Sequence, residues 1–469
     1  MSRNIKQLVN AKGGFTMKKA ILILVSIAMI VGLVACTGPT ETVVEDDNND
    51  NSTTTEAGKL YQGFGLSNLH RVGPGKDDTD TQVYSINQVF ANLVFDEEGK
   101  IVDILVDQLE VATPNYDGDG MPHFSGFPGQ GGYNIDEDHD GIVDGKTDDT
   151  EENFLEEVSS WATKRERGDA YRMVAGTWAE QMDGFEELFV GMTVTEVVEW
   201  FNKYTSSLNG RPLRDGIDSD YEQGKYDALS DEEKSMLTDL TSKATMSLND
   251  SHGNIIQAIR NAYDNRVEIK ANADIQSIGS ALVSNPRLGP GKDDTGAQVY
   301  SLNQVFANTL FDEEGKIVNL YVDQLEVATP NYDGEGMPMF SGWPGPADND
   351  ANLLAEVSGW ATKRDRGESY MMPAGSWAEQ MDKFQDHFVG MTADEVEEWF
   401  ANYTSDVNGR PLVDGSSNEE DQAKYDGLSD DEKAMLADLT SGATMSLNDS
   451  HGDIIQAIKA SFENSRDLK

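Results

Sequence analysis

The sequence predicts an α+β fold built twice in tandem, each copy an antiparallel sheet with packed helices. Three observations carry that expectation. Segments recur: Gly73-Pro74-Gly75-Lys76-Asp77-Asp78-Thr79 returns as Gly289-Pro290-Gly291-Lys292-Asp293-Asp294-Thr295, and Phe95-Asp96-Glu97-Glu98-Gly99-Lys100-Ile101-Val102 returns as Phe311-Asp312-Glu313-Glu314-Gly315-Lys316-Ile317-Val318. Each copy opens with a strand, turn and strand pattern, and each continues into segments that carry helix-start signals. The copies are offset by 216 residues over these segments and by 199 from Trp161 and Trp360 onward, so the first holds a net insertion of 17. A period near 200 residues marks a duplicated domain, because solenoid repeats run roughly 20 to 50.

Composition bounds the rest. A chain of 469 residues with 38% hydrophobic residues can bury cores. Its 84 acidic and 36 basic residues give a net charge of −48, which repels phosphate backbones and argues against nucleic-acid binding. Cys36 is the single cysteine, so an internal disulfide, a CxxC redox pair and a Cys-ligated iron–sulfur cluster are excluded. Any electron chemistry has to come from another cofactor.

From the N-terminus, Lys12-Gly13-Gly14-Phe15 back-translates to a purine tract that fits a ribosome-binding site, which predicts translation from Met17 and leaves residues 1–16 untranslated. Residues 17–35 then read as a signal peptide: Met17-Lys18-Lys19, an apolar run from Ala20 to Ala35, and Leu33-Val34-Ala35 before Cys36. This ending resembles the bacterial lipobox, and the resemblance implies that the Cys36 thiol is acylated and holds the chain to membrane lipid. Loss of Arg3, Lys6, Lys12, Lys18 and Lys19 takes the net charge from −48 to −53. Residues 36–59, with Glu45-Asp46-Asp47 and Thr53-Thr54-Thr55, have almost nothing to bury and read as a disordered acidic tether. The first copy is placed at 60–270 and the second at 281–469.

Within each copy the hairpin is expected at Val83 to Phe95, a turn at Asp96-Glu97-Glu98-Gly99, and Lys100 to Val111. Phe154, Val158 and Trp161 share a helical face. Thr177-x-x-Glu180, Thr193-x-x-Glu196 and Ser230-x-x-Glu233 each read as a capping box that opens a helix. Asn249-Asp250-Ser251 and Asn448-Asp449-Ser450 read as N-caps of a last helix striped by Ile255, Ile256, Ile259 and Tyr263, or Ile454, Ile455, Ile458 and Phe462.

Chemistry concentrates near the end of each copy, in Asp239-Leu240-Thr241-Ser242-Lys243-Ala244-Thr245 and Asp438-Leu439-Thr440-Ser441-Gly442-Ala443-Thr444. A threonine hydroxyl is not ionised at neutral pH, so it becomes a phosphoester only with enzymatic activation, and small neighbours admit that enzyme. The motif resembles the flavinylation sequence of FMN-binding domains, in which a flavin transferase esterifies the last threonine with FMN phosphate. The resemblance implies covalent FMN on Thr444 and Thr245, up to two per chain, with Asp239, Asp438, Ser242, Ser441, Gly442, Ala244 and Ala443 as motif positions; the first copy departs at Lys243. Lipobox, acidic tether and tandem FMN-binding domains together resemble the lipoproteins of flavin-based extracellular electron transfer in Gram-positive bacteria. That implies a protein on the outer face of the cytoplasmic membrane, passing electrons from a quinone-linked donor to extracellular acceptors such as ferric iron. It is an electron carrier more than a catalyst with its own substrate pocket.

Other signals are weaker. Asp136, Asp138, Asp140 and Asp144, with Gly141 between them, resemble a calcium loop whose twelfth position is Thr147 instead of Glu; a structural calcium site and a solvated acidic loop both remain open. Lys164-Arg165-x-Arg167 and Lys363-Arg364-x-Arg366 read as helix ends with favourable cations in preference to phosphate ligands. His252 and His451 are expected to be exposed, and Trp178, Trp200, Trp377 and Trp399 to pack in cores. Asn115-Tyr116-Asp117-Gly118 and Asn331-Tyr332-Asp333-Gly334, with Met121-Pro122 and Met337-Pro338, are candidates to cover a ring system. Two rival roles stand beside the carrier: a calcium-stabilised cell-surface binding or adhesion lipoprotein, and a precursor whose signal peptide around Leu22 to Ala35 is released as a pheromone.

Overall fold

Strand β1 (Tyr61–Lys76) pairs antiparallel with β2 (Gln82–Phe95), which pairs with β3 (Ile101–Ala112). A computed structural model describes residues 58–77, 79–116, 120–128, 150–270, 274–330, 332, 336–344 and 350–469. Cys36, the signal segment, the tether up to residue 57, and the Asp136, Asp138, Asp140 and Asp144 loop lie outside the described residues. The hairpin falls within a residue of its expected bounds. Its turn closes because Asp96 Oδ1 accepts the Lys100 amide at 2.7 Å and Gly99 takes a left-handed φ of 78°.

The helices follow: α1 (Glu151–Ser159), α2 (Trp178–Phe189), α3 (Val194–Tyr204), α4 (Asp220–Asp227), α5 (Asp231–Thr241) and α6 (Ile255–Asp264). Strand β4 (Val267–Glu268) then completes a sheet of order β3-β2-β1-β4. The second copy repeats this with β5 (Ser277–Arg287), β6 (Ser301–Phe311), β7 (Ile317–Ala328), α7 (Asp350–Ser358), α8 (Lys363–Arg366), α9 (Trp377–Phe388), α10 (Ala393–Tyr403), α11 (Glu419–Asp426), α12 (Asp430–Thr440), α13 (Ile454–Glu463) and β8 (Arg466–Asp467), in a sheet of order β7-β6-β5-β8. Strand β5 begins at Ser277, so the second copy starts before residue 281. No helix among the described residues is long and apolar enough to cross a membrane.

All three expected capping boxes at Thr177, Thr193 and Ser230 are present with both reciprocal bonds, and they recur at Ser376, Thr392 and Ser429. The last helix corrects one expectation. Its N-caps are Asn254 and Asp453, while Asn249-Asp250 and Asn448-Asp449 form one arm of a tight two-stranded ribbon with Gly253-Asn254 and Gly452-Asp453. Strand β1 has no counterpart in the sequence reading. Glycine and polar residues hide it, yet Gly63 and Gly65 are what let α6 lie on the sheet: a Cβ on either would overlap the carbonyl oxygens of Ala262 and Ala258.

Both faces of each central strand are buried, and alternation divides them. Val89, Ala91, Leu93 and Phe95 of β2 join Trp178, Met182, Phe185 and Ile259 in a core under the helices. Ile86 and Phe90 point the other way, into a core shared with Leu302 and Phe306 of β6. The two sheets thus pack face to face. Equivalent residues meet themselves across the contact: the Phe90 and Phe306 rings lie 5.4 Å apart, Phe124 and Phe340 5.7 Å, and the amides of Gln88 and Gln304 bond each other at 2.8 and 2.6 Å. A pseudo-two-fold axis runs between them.

Helices are exchanged over this contact. α1 packs on β5 of the other copy, and α7 packs on β1. Tyr300 donates to Glu151 at 3.0 Å and Trp343 to the Phe124 carbonyl at 2.7 Å. Arg466 and Lys469 reach back to Asp103 and to fully buried Glu186. The copies therefore share one core and form one compact unit from Ala57 to Lys469 instead of two separable bodies. Truncation at the axis should be felt by the whole chain. Phe306→Ala is expected to cost about 3–5 kcal/mol in denaturant unfolding with a single transition, whereas Leu208→Ala, 72% exposed, should change stability by about 0.5 kcal/mol or less.

Candidate functional site

The threonine motif begins on the last turn of α5 and of α12. Asp239 and Asp438 are exposed there, and the Ser242 and Ser441 hydroxyls donate to the Asp239 and Asp438 carbonyls at 2.7 and 2.6 Å. Ala244 and Ala443 turn into the core and are fully buried, so a small residue is a packing requirement at that position. Thr245 and Thr444 follow, half-buried. A single side-chain oxygen organises each: Gln181 Oε1 accepts from the Thr245 amide (2.9 Å), the Met246 amide (3.1 Å) and the Thr245 hydroxyl (3.3 Å). Gln380 does the same for Thr444 at 2.9, 3.1 and 3.4 Å. Both glutamines are fully buried on α2 and α9. No sequence pattern marked them.

Lys243 does not crowd its threonine. Its ammonium pairs with Glu187, six residues along α2 from Gln181, or about 9 Å at 1.5 Å per residue. Its aliphatic chain covers Gly184, whose added Cβ would lie 3.5 Å from the lysine Cγ and Cδ. In the second copy the two positions are interchanged: Lys383 stands on the helix over Gly442, and its ammonium pairs with Asp438 at 3.2 Å. One lysine fills the same space in both copies.

Beside each loop is a pocket. In the second copy it encloses about 230 Å³ and is walled by Gln324, Lys363, Tyr370, Trp377, Arg410, Thr444 and His451. In the first copy it is narrower, about 80 Å³, with the equivalent Gln108, Lys164, Tyr171, Trp178, Arg211 and His252; its wall begins at Met246 and does not include Thr245. Asp239, Asp438, Ser242, Ser441, Gly442, Ala244 and Ala443 line neither pocket. Nor do Tyr116, Met121, Tyr332 and Met337; Asp117, Gly118, Asn331, Asp333 and Gly334 lie outside the described residues.

In the second copy the basic island forms the short helix α8, with Lys363, Arg364 and Arg366 in its last turn, but the leading lysine of each island is buried. Lys164 is 2% exposed and pairs at 3.0 Å with Glu110, itself 1% exposed, while its ammonium lies 5.1 Å from the Tyr171 ring centre. Lys363 sits likewise, 3.5 Å from Glu326 and 2.8 Å from Gln324 Oε1. Burial alone would raise the Glu110 carboxyl, but Lys164 overrides it and holds the group below its ordinary range. Arg165 and Arg364 turn away from the pockets toward Asp183 and Asp382. The four tryptophans are 3 to 6% exposed and pack in the cores, Trp178 and Trp377 also presenting an edge to the pockets. His252 and His451 are half-exposed on the ribbon turn, with Nδ1 at 3.0 and 2.9 Å from Asp250 and Asp449.

Arg211 and Arg410 complete the rims. Both are exposed, and neither joins an ion pair among the described residues, despite the acidity of the chain. Two cations, aromatic and thioether walls and a threonine hydroxyl at the edge of the second pocket make a donor set that fits a planar aromatic ligand carrying a phosphate. FMN has that chemistry. Among the described residues no group of three or more His, Cys, Asp or Glu is placed to hold a metal ion.

No protein-family model matches the chain, and no solved structure matches it. Among curated proteins it is similar to chlorophenol reductase of Desulfitobacterium hafniense, 36% identical over 226 residues, a match that covers 46% of this chain. The chain spans about 60% of the length of that relative.

Two outcomes follow from this geometry. Gln380→Leu strands two backbone amides and should cost about 1–3 kcal/mol, read by thermal unfolding, with Gln380→Glu costing less because it retains an acceptor. Asp107 and Asp323, buried beside Arg165 and Arg364, are pushed up to about 6 from 3.8 by burial. The folded protein therefore holds protons that the unfolded chain has lost between about pH 4 and 6, so these groups stabilise it less as pH rises through that window. Measured by urea unfolding, the stability of wild type relative to Asp323→Asn should decline from pH 4 to above pH 6 and then level off.

Proposed function

We propose that this chain is a lipid-anchored extracellular electron carrier with FMN esterified to Thr444 and to Thr245, passing electrons from a quinone-linked membrane donor to acceptors outside the cell such as ferric iron. The observation that carries the reading is the placement of Thr444 on the wall of a pocket with Lys363, Arg410, Tyr370 and Trp377; the first copy repeats the other four as Lys164, Arg211, Tyr171 and Trp178, with Thr245 next to the wall residue Met246. When bound, FMN supplies reversible one- and two-electron chemistry that no side chain of this protein offers. Arg410 would hold its phosphate and offset its charge. Tyr370, Met372 and Trp377 would flank the ring system, and Gln380 would fix the threonine backbone whether or not the hydroxyl is esterified. Two such groups in one compact unit, on an acyl anchor at Cys36, form a relay above the membrane. Similarity to a protein named as a reductase supports a redox role.

That similarity also favours a second reading, in which the acceptor is a small organic molecule instead of ferric iron. Both require the same cofactor. Co-expressed with a flavin transferase and weighed intact under denaturing conditions, the protein is expected to carry two FMN adducts, mapped by peptide sequencing to Thr245 and Thr444. Thr444→Ala should remove one adduct and leave the other. A chain that stays unmodified beside an active transferase, or that keeps both adducts in Thr444→Ala, would sink the proposal.

A further inference from the structure

Each pocket carries an aspartate–imidazole pair that cofactor anchoring does not require. Asp250 Oδ1 accepts the His252 backbone amide at 2.8 Å and lies 3.0 Å from His252 Nδ1; for Asp449 and His451 the distances are 2.7 and 2.9 Å. Burial would raise these carboxyls, but the hydrogen bonds from the histidines hold both below their ordinary values. Each aspartate is therefore an ionised acceptor at neutral pH and selects the Nδ1–H tautomer. Nε2, which has no protein partner among the described residues, is left for whatever the pocket holds.

The turn that carries the imidazole is fixed to the sheet. The His252 and His451 carbonyls accept from the side chains of Gln108 on β3 and Gln324 on β7. Gly253 and Gly452 press on Val89 and Val305 so closely that a Cβ would collide with a valine methyl at 2.6 Å. The histidine side chains are 39% and 40% exposed, so each one borders both its pocket and bulk water. The charged and titratable groups around His252 are Asp250, Glu110, Lys164, Arg211 and Tyr171, and around His451 they are Asp449, Glu326, Lys363, Arg410 and Tyr370. Lys164 and Lys363 are already committed to buried carboxylates, which leaves Arg211 and Arg410 as the pocket cations that join no ion pair among the described residues.

We propose that His252 and His451 exchange the proton that accompanies electron transfer at the redox group of their own pocket. This rests on the reading that the pockets hold flavin. As a hydroquinone-class donor supplies two electrons to the group held in the pocket, the Nε2–H bond of the imidazolium would break, its electron pair would stay on Nε2, and the proton would pass to that group. The donor releases its own two protons to water, and Nε2 stays bare until the group is reoxidised. On oxidation by two one-electron acceptors such as ferric ions, Nε2 takes the proton back. The aspartate keeps the ring oriented and stabilises the imidazolium.

The test uses flavin-loaded full-length protein, its flavin content set by intact mass, reduced by a soluble hydroquinone in stopped flow between pH 5.5 and 8.5. In wild type the rate should fall as pH rises across this range, because the proton donor is the protonated imidazole. In His451→Gln about half of the absorbance change should lose that pH dependence and slow roughly 100-fold at low pH, and in the His252→Gln/His451→Gln double variant all of it. Nitrogen NMR of protein without flavin should show Nδ1 protonated and Nε2 bare in the neutral imidazole. A double variant with full flavin content and a wild-type pH profile overturns the proposal, as does an Nε2–H tautomer. Wild type that never acquires flavin overturns the functional reading, and this inference with it.

Discussion

Burial of both faces of β2 and β6 is the constraint from which the rest of the structure follows. A strand covered on one side only by helices would leave Ile86 and Phe90, or Leu302 and Phe306, in water. At about 25 cal/mol per Å² of apolar surface, covering such a face is among the largest favourable contributions available to the chain. Here the cover for each sheet is the other sheet. Because the copies derive from one sequence, the contact is self-complementary, and Phe90 meets Phe306 while Gln88 meets Gln304. The amide pair matters for a different reason. Buried glutamines tolerate only a register in which they satisfy each other, so they fix how the sheets align as well as holding them together.

Exchange of α1 and α7 follows from the same geometry. With the sheets face to face, the helix after each hairpin packs on the first strand of the other copy, at the rim of the shared core. The pockets sit on the opposite, helix-covered side, where β3 and β7 contribute Gln108 and Gln324. Each is framed by elements of one copy, while its sheet is held in place by the other. Rigidity at the sites thus depends on the duplication even though no pocket residue crosses the axis.

Charge is managed locally in a chain of net −48. The few cations near the pockets are divided between two tasks. Lys164 and Lys363 neutralise buried Glu110 and Glu326, an arrangement whose desolvation cost makes it a device for specificity more than for stability. Arg211 and Arg410 stay exposed at the rims, available to an anion. The interchange of Gly184 and Lys243 in one copy with Lys383 and Gly442 in the other shows the same economy of space. It also explains why a bulky residue inside the threonine motif leaves the loop geometry unchanged.

Sequence alone determined the elements whose signals are local. Capping boxes at Thr177, Thr193 and Ser230, the Asp96 to Gly99 turn and the Ile255, Ile256 and Ile259 stripe each depend on residues within a few positions of one another, and repetition placed equivalent residues without knowledge of the fold. The mixed composition of antiparallel strands and helices was legible for the same reason. Strand β1 was not, because Gly63 and Gly65 are there for a helix nearly 200 positions away, and a glycine chosen for close approach resembles one in a loop. The ribbon at Asn249 to Asn254 read as a cap because Asn and Asp serve both structures, and only contact with β2 and β3 decides between them. Likewise the threonines could be found from their motif, whereas Gln181, Arg211 and the burial of Lys164 could not. These residues matter through what lies opposite them, and only packing of the helices on the sheet brings a solitary glutamine, arginine or lysine to the same pocket wall.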